Sequence, residues 1–154
     1  MKLYLVQHGE AFDEAENPAR SLTDKGRKDV DKVSKLLKSS GIEVRHIEHS
    51  GKLRARETAE IIAENLGQER IVRERRGLFP KDPVYRWSKD ITSRNANIML
   101  VGHLPFLSKL AGVLLNGDEM SEPIRFRYGC VACFEKNDLN RWTVNWVVIP
   151  DLLE

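Results

Sequence analysis

The sequence has few cysteines, no long apolar run and almost no excess of charge of either sign. Two cysteines among 154 residues cannot build a disulfide framework, and no apolar run approaches the ~18–20 residues that a membrane span requires. Twenty-five Lys and Arg against 23 Asp and Glu give a formal charge of +2, too little to favour nucleic acid or an anionic membrane surface as a partner. The first residues become polar too early for a signal peptide. We therefore expect a cytoplasmic protein with no nucleic-acid or membrane partner.

The chain does have enough apolar residues for one hydrophobic core. Its hydrophobic fraction is 41% and its charged fraction 31%, both close to the average for a globular protein. No internal repeat, low-complexity tract or linker divides it, and its length fits one domain. We predict a single domain that spans residues 1–154.

Short apolar runs alternate with segments of helical period, which is typical of an α/β sheet with helices packed on it. Leu3–Val6 and Ile98–Val101 have no polar break, as expected of strands buried on both faces. Thr23 can cap a helix that ends near Ser39, and a second helix is predicted from near Ser50 to the residue before Gly67. Weaker strands are predicted at 42–48, 71–72, 124–128, 131–134 and 142–149, and further helices around 84–91 and from 105 to 115, with antiparallel pairing at the C-terminal edge.

Two histidines directly follow the two clearest strands. His8 and Gly9 come after the first strand, and His103 comes after Val101-Gly102 and just before a predicted helix that starts at Pro105. Ligands of open α/β sheets bind at the carboxyl ends of strands, and the N-terminus of a helix attracts anions. A lone histidine at a strand end is more often a satisfied polar residue, but two among only four in the chain favour a functional site. Gly9 would let the backbone approach a ligand closely.

Arg54 lies in the first turn of the second predicted helix. A cation there faces the unfavourable end of the helix dipole, at a cost of ~0.3–1 kcal/mol. Two interpretations remain open: Arg54 binds an anion, or Arg54 and Arg56 are solvated surface residues.

Four motifs resemble the histidine phosphatase superfamily, in consistent order along most of the chain. They are Leu5–Ala11 (LVQHGEA), Leu22–Gly26 (LTDKG), Ser50–Ala59 (SGKLRARETA) and Val101–Pro105 (VGHLP). The short length and the closing strand are most similar to the SixA-type phosphohistidine phosphatases. The resemblance implies a phosphoglycerate-mutase-like, three-layer α/β/α fold with a mostly parallel sheet and an antiparallel C-terminal edge. It also implies a metal-free phosphatase, without a cofactor, whose first histidine is transiently phosphorylated.

The resemblance assigns a role to each matching residue. The expected substrate is a phosphohistidine-bearing protein such as a phosphotransfer domain, and the product is inorganic phosphate. The assigned residues are His8 as the nucleophile, Arg54 and His103 as catalytic ligands of the phosphoryl oxygens, and Gln7, Gly9 and Arg20 as further phosphate-binding positions.

The sequence departs from the family pattern at two positions. Gln7 stands where the family usually has arginine, and Gly77 stands where many members carry an acidic proton donor; Asp82 and Glu10 are candidate acids only by proximity in sequence. A phosphohistidine protonated on its ring releases neutral imidazole, whose conjugate acid has a pKa of ~6.5, so it needs a donated proton less than an alkoxide does. We therefore expect a preference for P–N over P–O substrates. Two alternatives stay open: a small-molecule phosphomonoesterase, and a weakly active phosphate-binding regulatory module.

Two further patterns have ordinary structural interpretations. Cys130 and Cys133 form a C-x-x-C string in a strand-like stretch, without the second ligand pair of a zinc site. His46 and His49 lack a nearby cluster of ligating side chains. We expect neither pair to bind metal, and redox chemistry at the cysteines is the less favoured interpretation.

Overall fold

The computed structural model describes all residues, 1–154, and consists of one six-stranded sheet with two helices on each face. Two short 3₁₀ turns, Glu69–Ile71 and Pro150–Leu152, complete the regular structure. The strands are β1 (Lys2–Gln7), β2 (His46–His49), β3 (Val72–Glu74), β4 (Ile98–Gly102), β5 (Val131–Lys136) and β6 (Trp142–Val148), and the helices are α1 (Asp24–Ser39), α2 (Leu53–Leu66), α3 (Tyr85–Ser93) and α4 (Phe106–Asn116).

The sheet is parallel on one side and antiparallel on the other. Its strand order is β3-β2-β4-β1-β5-β6. The pairs β3–β2, β2–β4 and β4–β1 are parallel, whereas β5 runs antiparallel to both β1 and β6. The predicted parallel core with an antiparallel C-terminal edge is confirmed.

Each face of the sheet buries its own hydrophobic cluster. Helices α1 and α2 cover the side chains of Tyr4 and Val6 on one face, and α3 and α4 cover those of Leu3 and Leu5 on the other. This alternation along β1 is what a strand buried on both faces requires. The three-layer α/β/α architecture is therefore confirmed. No helix combines the length and apolarity that crossing a membrane would need.

The helix boundaries follow local capping chemistry. The Thr23 hydroxyl oxygen accepts a hydrogen bond from the amide of Gly26 at 3.0 Å, so Thr23 is the N-cap of α1, as predicted. Helix α2 ends at Gly67, whose φ of 69° lies in the left-handed region that a helix C-terminus favours and glycine adopts without strain.

The strand predicted at Ile124–Tyr128 is wrong. The burial of its side chains alternates as in a strand, with Ile124 and Phe126 buried and Arg125 and Arg127 exposed. The segment nevertheless has no partner in the sheet. Gly129 instead donates to the carbonyls of Gln7 and His8. The segment therefore packs its side chains on the core while its backbone remains irregular.

The starts of β2, β3, α2 and α4 differ from the prediction. The second strand begins at His46 rather than 42, and β3 begins at Val72 because Ile71 closes a 3₁₀ turn. Helix α2 begins at Leu53 rather than near Ser50, and its N-cap is Lys52, which makes no side-chain capping bond. Pro105 is the N-cap of α4 and not its first helical residue.

The chain reverses its winding between β1 and β4. These neighbouring strands are followed by helices on opposite faces, α1 after β1 and α4 after β4. Such a switch point opens a crevice at the carboxyl ends of the two strands, where open α/β sheets bind ligands.

Candidate active site

His8 and His103 lie together at this switch point. The β1–β4 register pairs Gln7 with Gly102, so the two histidines leave the sheet at the same level. Their rings lie 5.1 Å apart between centroids with a tilt of 55°. His8 is 5% and His103 1% exposed. Two imidazoles from distant parts of the chain therefore share one buried location.

The hydrogen bond that His8 makes fixes which of its nitrogens can react. Its Nδ1 lies 2.7 Å from the carbonyl oxygen of Gly9. A carbonyl only accepts, so we assign the proton to Nδ1 and the lone pair to Nε2. Burial lowers the pKa of His8 to about 4, aided by the charges of Arg54 and Arg20 and opposed by the bond to Gly9. The neutral form, which can attack phosphorus, is thus the resting form near neutral pH.

His103 is neutral for similar reasons. Burial lowers its pKa to about 3, with further contributions from His8, Arg54, Lys52 and Arg20. Its Nε2 lies 2.6 Å from the hydroxyl oxygen of Ser50, whereas its Nδ1 is buried without a protein partner.

Arg54 and Arg20 bring positive charge to the two histidines. Neither arginine forms a salt bridge, and the Nε of Arg54 is buried with no partner. Burial, followed by the charge of Arg20, lowers the pKa of Arg54. Elsewhere the chain pairs its buried charge: Arg73 and Arg94 both contact the fully buried Glu48 at 2.7 Å. Unpaired cations beside neutral imidazoles make a site suited to an anion.

Arg20 is held in an unusual backbone conformation. Its φ is 53°, in the left-handed region, which costs a non-glycine residue on the order of 1–3 kcal/mol and is concentrated at functional sites. Its Nε donates to the carbonyl of Phe12 at 3.1 Å and its amide to that of Asn17 at 2.8 Å. The first bond orients the Arg20 side chain and the second holds its backbone, and the positive charge of Arg20 lowers the pKa of both histidines.

Gln7 and Gly9, the two residues beside His8 that are expected to bind phosphate, are both buried. The side-chain oxygen of Gln7 is buried without a hydrogen bond, and this side chain contributes no charge. The amide of Gly9 donates to the Thr58 hydroxyl at 3.0 Å, so it has no free donor for a phosphate. A Cβ on Gly9 would lie 2.9 Å from Val30 and 3.0 Å from the carbonyl of Gly26. The Cβ direction of Gly9 therefore faces helix α1, and its assignment as a phosphate-binding residue stays a prediction.

The carboxylates considered as proton donors have other partners. Glu10 accepts from the Thr23 hydroxyl at 2.8 Å, and Asp82 accepts from the amide of Phe79 at 2.8 Å. Gly77 has a φ of 86°, and a Cβ there would lie 2.8 Å from Nε1 of Trp87, so the position has no room for an acidic side chain. The negative charge of Glu14, a further carboxylate, acts to raise the pKa of Arg54.

Sequence reasoning assigned no role to Ser50, Thr58, Lys52 or Tyr128. Thr58 links Gly9 to helix α2, because its hydroxyl also donates to the carbonyl of Arg54 at 2.8 Å. Tyr128 is 47% exposed, and its ring lies 5.5 Å from that of His8. Ser50 and Thr58 lie inside the SGKLRARETA motif, which was a signal for both, whereas the irregular backbone that places Tyr128 left no sequence signal.

The two cysteines and the other two histidines, His46 and His49, do not come together in a second cluster. Cys130 packs in the core on the α3–α4 face and Cys133 in the core on the α1–α2 face, so the sheet separates the two thiols. His46 and His49 lie in β2. No group of three or more His, Cys, Asp or Glu side chains is placed to hold a metal ion. An open cavity of about 710 Å³ lies beside Arg75 and Trp87, and neither His8 nor His103 lines it.

Comparisons with known proteins agree with this geometry. A family model described as the histidine phosphatase superfamily (branch 1) matches residues 3–76. An uncharacterized protein of Picosynechococcus sp. is 35% identical over 128 residues, covering 76% of this chain and 74% of the relative. The phosphohistidine phosphatase SixA of Escherichia coli K12 is 24% identical over 155 residues, covering 97% and 94%.

Solved structures show the same fold over the whole chain. The protein histidine phosphatase SixA complexed with tungstate superposes with a TM-score of 0.88 at 24% identity, covering 100% of both chains. Phosphoserine phosphatase from Entamoeba histolytica, in complex with 3-phosphoglyceric acid, gives 0.68 at 19% identity and covers 95% of each. These matches, together with the two strand-end histidines at one switch point, show that the chain belongs to the histidine phosphatase superfamily.

Proposed function

We propose that the chain is a metal-free phosphatase that removes phosphate from phosphohistidine in a protein, through a phosphohistidine intermediate on His8. The observation that carries the proposal is the neutral His8 ring, with its lone pair on Nε2, next to His103 and two unpaired arginines. Phosphoryl transfer depends mainly on positioning and on stabilising negative charge, and these residues supply both.

In the proposed reaction, Nε2 of His8 attacks phosphorus and the bond between phosphorus and the substrate imidazole breaks. The electron pair of that bond stays on the leaving nitrogen. Water then attacks the phosphorus on His8, releases inorganic phosphate and restores the lone pair on Nε2. Arg54 and Arg20 balance the charge of the phosphoryl oxygens, which suits guanidinium because it stays charged and presents paired donors.

The absence of an acid at position 77 supports a P–N substrate. Glu10 and Asp82 are both held by other hydrogen bonds, so neither is a ready proton donor. An imidazole protonated before cleavage leaves as a neutral ring, whereas an alkoxide has a conjugate acid with a pKa near that of water, ~15.7. The half-exposed Tyr128 ring beside His8 offers a leaving imidazole an aromatic surface to stack on.

The substrate test compares two peptides of the same sequence, one carrying phosphohistidine and one carrying phosphoserine. We expect kcat/KM to be at least about tenfold higher for the phosphohistidine peptide, which corresponds to ~1.4 kcal/mol in the barrier. His8→Ala should abolish turnover of both. Faster hydrolysis of the phosphoserine peptide would contradict the proposal and favour a phosphomonoesterase.

The anion site is tested by Arg54→Ala with Arg56→Ala as the matched control. Both arginines lie in the first turns of α2, but Arg56 is half exposed and contacts Glu60. A hydrogen bond to a charged group contributes ~1.5–3 kcal/mol, so Arg54→Ala should weaken phosphate or tungstate binding about 10- to 150-fold. Arg56→Ala should leave it unchanged. Unchanged binding in Arg54→Ala would place that arginine outside the site.

Gln7 favours a second candidate, a phosphate-binding regulatory module with weak turnover. Its side chain is uncharged and its oxygen is buried without a partner. Tight phosphate binding measured by calorimetry, together with no turnover of either peptide, would support this candidate over the enzyme.

A further inference from the structure

The contact between Ser50 and His103 joins two buried groups from distant parts of the chain. Ser50 is 2% and His103 1% exposed, and the Ser50 oxygen lies 2.6 Å from Nε2 of His103. Ser50 follows β2 and precedes α2, and its oxygen also accepts a hydrogen bond from the amide of Lys52 at 3.3 Å. Its hydroxyl is thereby held between the backbone of one element and the imidazole of another.

Counting donors and acceptors decides the direction of the Ser50–His103 bond. If Nε2 donates to Ser50, the hydroxyl proton of Ser50 and the lone pair on Nδ1 of His103 are both left without a partner. If Ser50 donates to Nε2, its proton and its oxygen are both satisfied, and the only unpaired group is an N–H on Nδ1. Buried polar groups are rarely left unpaired, so the second arrangement is favoured. Its one unpaired donor is also the group that an anion would satisfy.

We propose that Ser50 is a positioning residue that holds His103 in the tautomer protonated on Nδ1, so that a neutral imidazole still donates a hydrogen bond to the phosphoryl group. This inference rests on the proposed function, because it needs an oxyanion between the two histidines. In the opposite tautomer Nδ1 would present a lone pair, which repels a phosphoryl oxygen. The Ser50 hydroxyl thus determines whether His103 attracts or repels the transferred group.

The tautomer is measurable by ¹⁵N NMR of the imidazole ring in the wild-type protein at neutral pH, without substrate. We expect Nδ1 of His103 to carry the proton and Nε2 to be bare. In Ser50→Ala the Nε2-protonated form should become populated. A wild-type His103 protonated on Nε2, or a tautomer unchanged in Ser50→Ala, would overturn the proposal.

Kinetics provide the functional readout. Loss of the partner that orients a metal-bound histidine costs about 10- to 100-fold in activity. We expect the same factor here, so Ser50→Ala should lower kcat about 10- to 100-fold, and Ser50→Thr, which keeps the hydroxyl, should retain most of the activity. Ser34→Ala is the matched control: Ser34 is fully buried in α1, and its hydroxyl donates to the carbonyl of Val30 at 2.6 Å and not to a site histidine. Wild-type kcat in a folded Ser50→Ala protein would contradict the role.

The two experiments separate this inference from the function it rests on. If the wild-type protein hydrolyses neither peptide, the proposed function fails, while the NMR spectrum still decides whether Ser50 sets the tautomer. If the wild-type protein is active but the tautomer is the opposite one, Ser50 has no positioning role and the proposed function stands.

Discussion

His8 should resist protonation far below the usual pH range of histidine, and replacing it should change how stability depends on pH. Burial lowers the pKa of His8 to about 4 in the folded protein, whereas in the unfolded chain it should be near ~6.5. At pH 5 the unfolded imidazole is almost wholly protonated, but about nine-tenths of folded molecules keep His8 neutral. Acid therefore favours the unfolded chain, because only the unfolded chain takes up the proton at that pH.

The size of the effect follows from the two pKa values. A full separation of about 2.5 pH units corresponds to ~3 kcal/mol, of which ~2 kcal/mol is lost between pH 8 and pH 5. His8→Gln removes this titration. We expect the free energy of unfolding of the wild-type protein to fall by ~2 kcal/mol more than that of His8→Gln over this interval.

Urea unfolding at pH 8 and pH 5, in buffer free of phosphate and sulfate, measures this difference. An NMR titration of the His8 ring protons gives its pKa directly in the same buffer. The reasoning is refuted if His8 titrates near 6.5, or if both proteins lose the same stability between the two pH values. Added phosphate should raise the pKa of His8, because a bound anion favours the charged ring.

Three substitutions test other parts of the account. Gln7→Arg adds a charge beside the site and should raise kcat/KM at least about tenfold, the lower end of the ~10- to 150-fold that a charged hydrogen bond contributes; no gain in a steady-state assay would mean that Arg20 or another cation already fills that role, or that the site is inactive for other reasons. Gly9→Ala forces a Cβ to 2.9 Å from Val30 and should lower the free energy of unfolding by ~1–3 kcal/mol, as overpacking does; wild-type stability in urea would refute the contact. Tyr128→Leu should reduce kcat/KM for the phosphohistidine peptide more than for the phosphoserine peptide, and the difference should correspond to about 0.5–1.5 kcal/mol in the activation barrier. An equal loss on both peptides would contradict the proposed stacking.

Local chemistry was sufficient to predict much of the fold. Thr23 caps α1 through its own hydroxyl, and the second predicted helix ends before Gly67, as α2 does. The position of His8 and His103 at strand ends predicted that both would lie at one edge of the sheet. These signals depend on residues close in sequence or on a rule of sheet topology, so they needed no coordinates.

What the sequence did not predict depends on tertiary contacts. Ile124 and Phe126 alternate like a strand, but whether a segment becomes a strand depends on a free edge, and β5 already occupies that side of β1. The Cβ direction of Gly9 faces Val30 because of how α1 packs on β1, which the residues around Gly9 do not indicate. The bond between Ser50 and His103 joins residues 53 positions apart, and no local pattern indicates it.

The most direct test of the central claim is to trap the phosphoenzyme. The wild-type protein is mixed with a phosphohistidine peptide, quenched in alkali within milliseconds, digested and analysed by mass spectrometry. The account predicts phosphate on His8, with no phosphorylated peptide from His8→Ala and no modification of His103. Turnover of the substrate without phosphate on His8, or with phosphate on His103 instead, would contradict it.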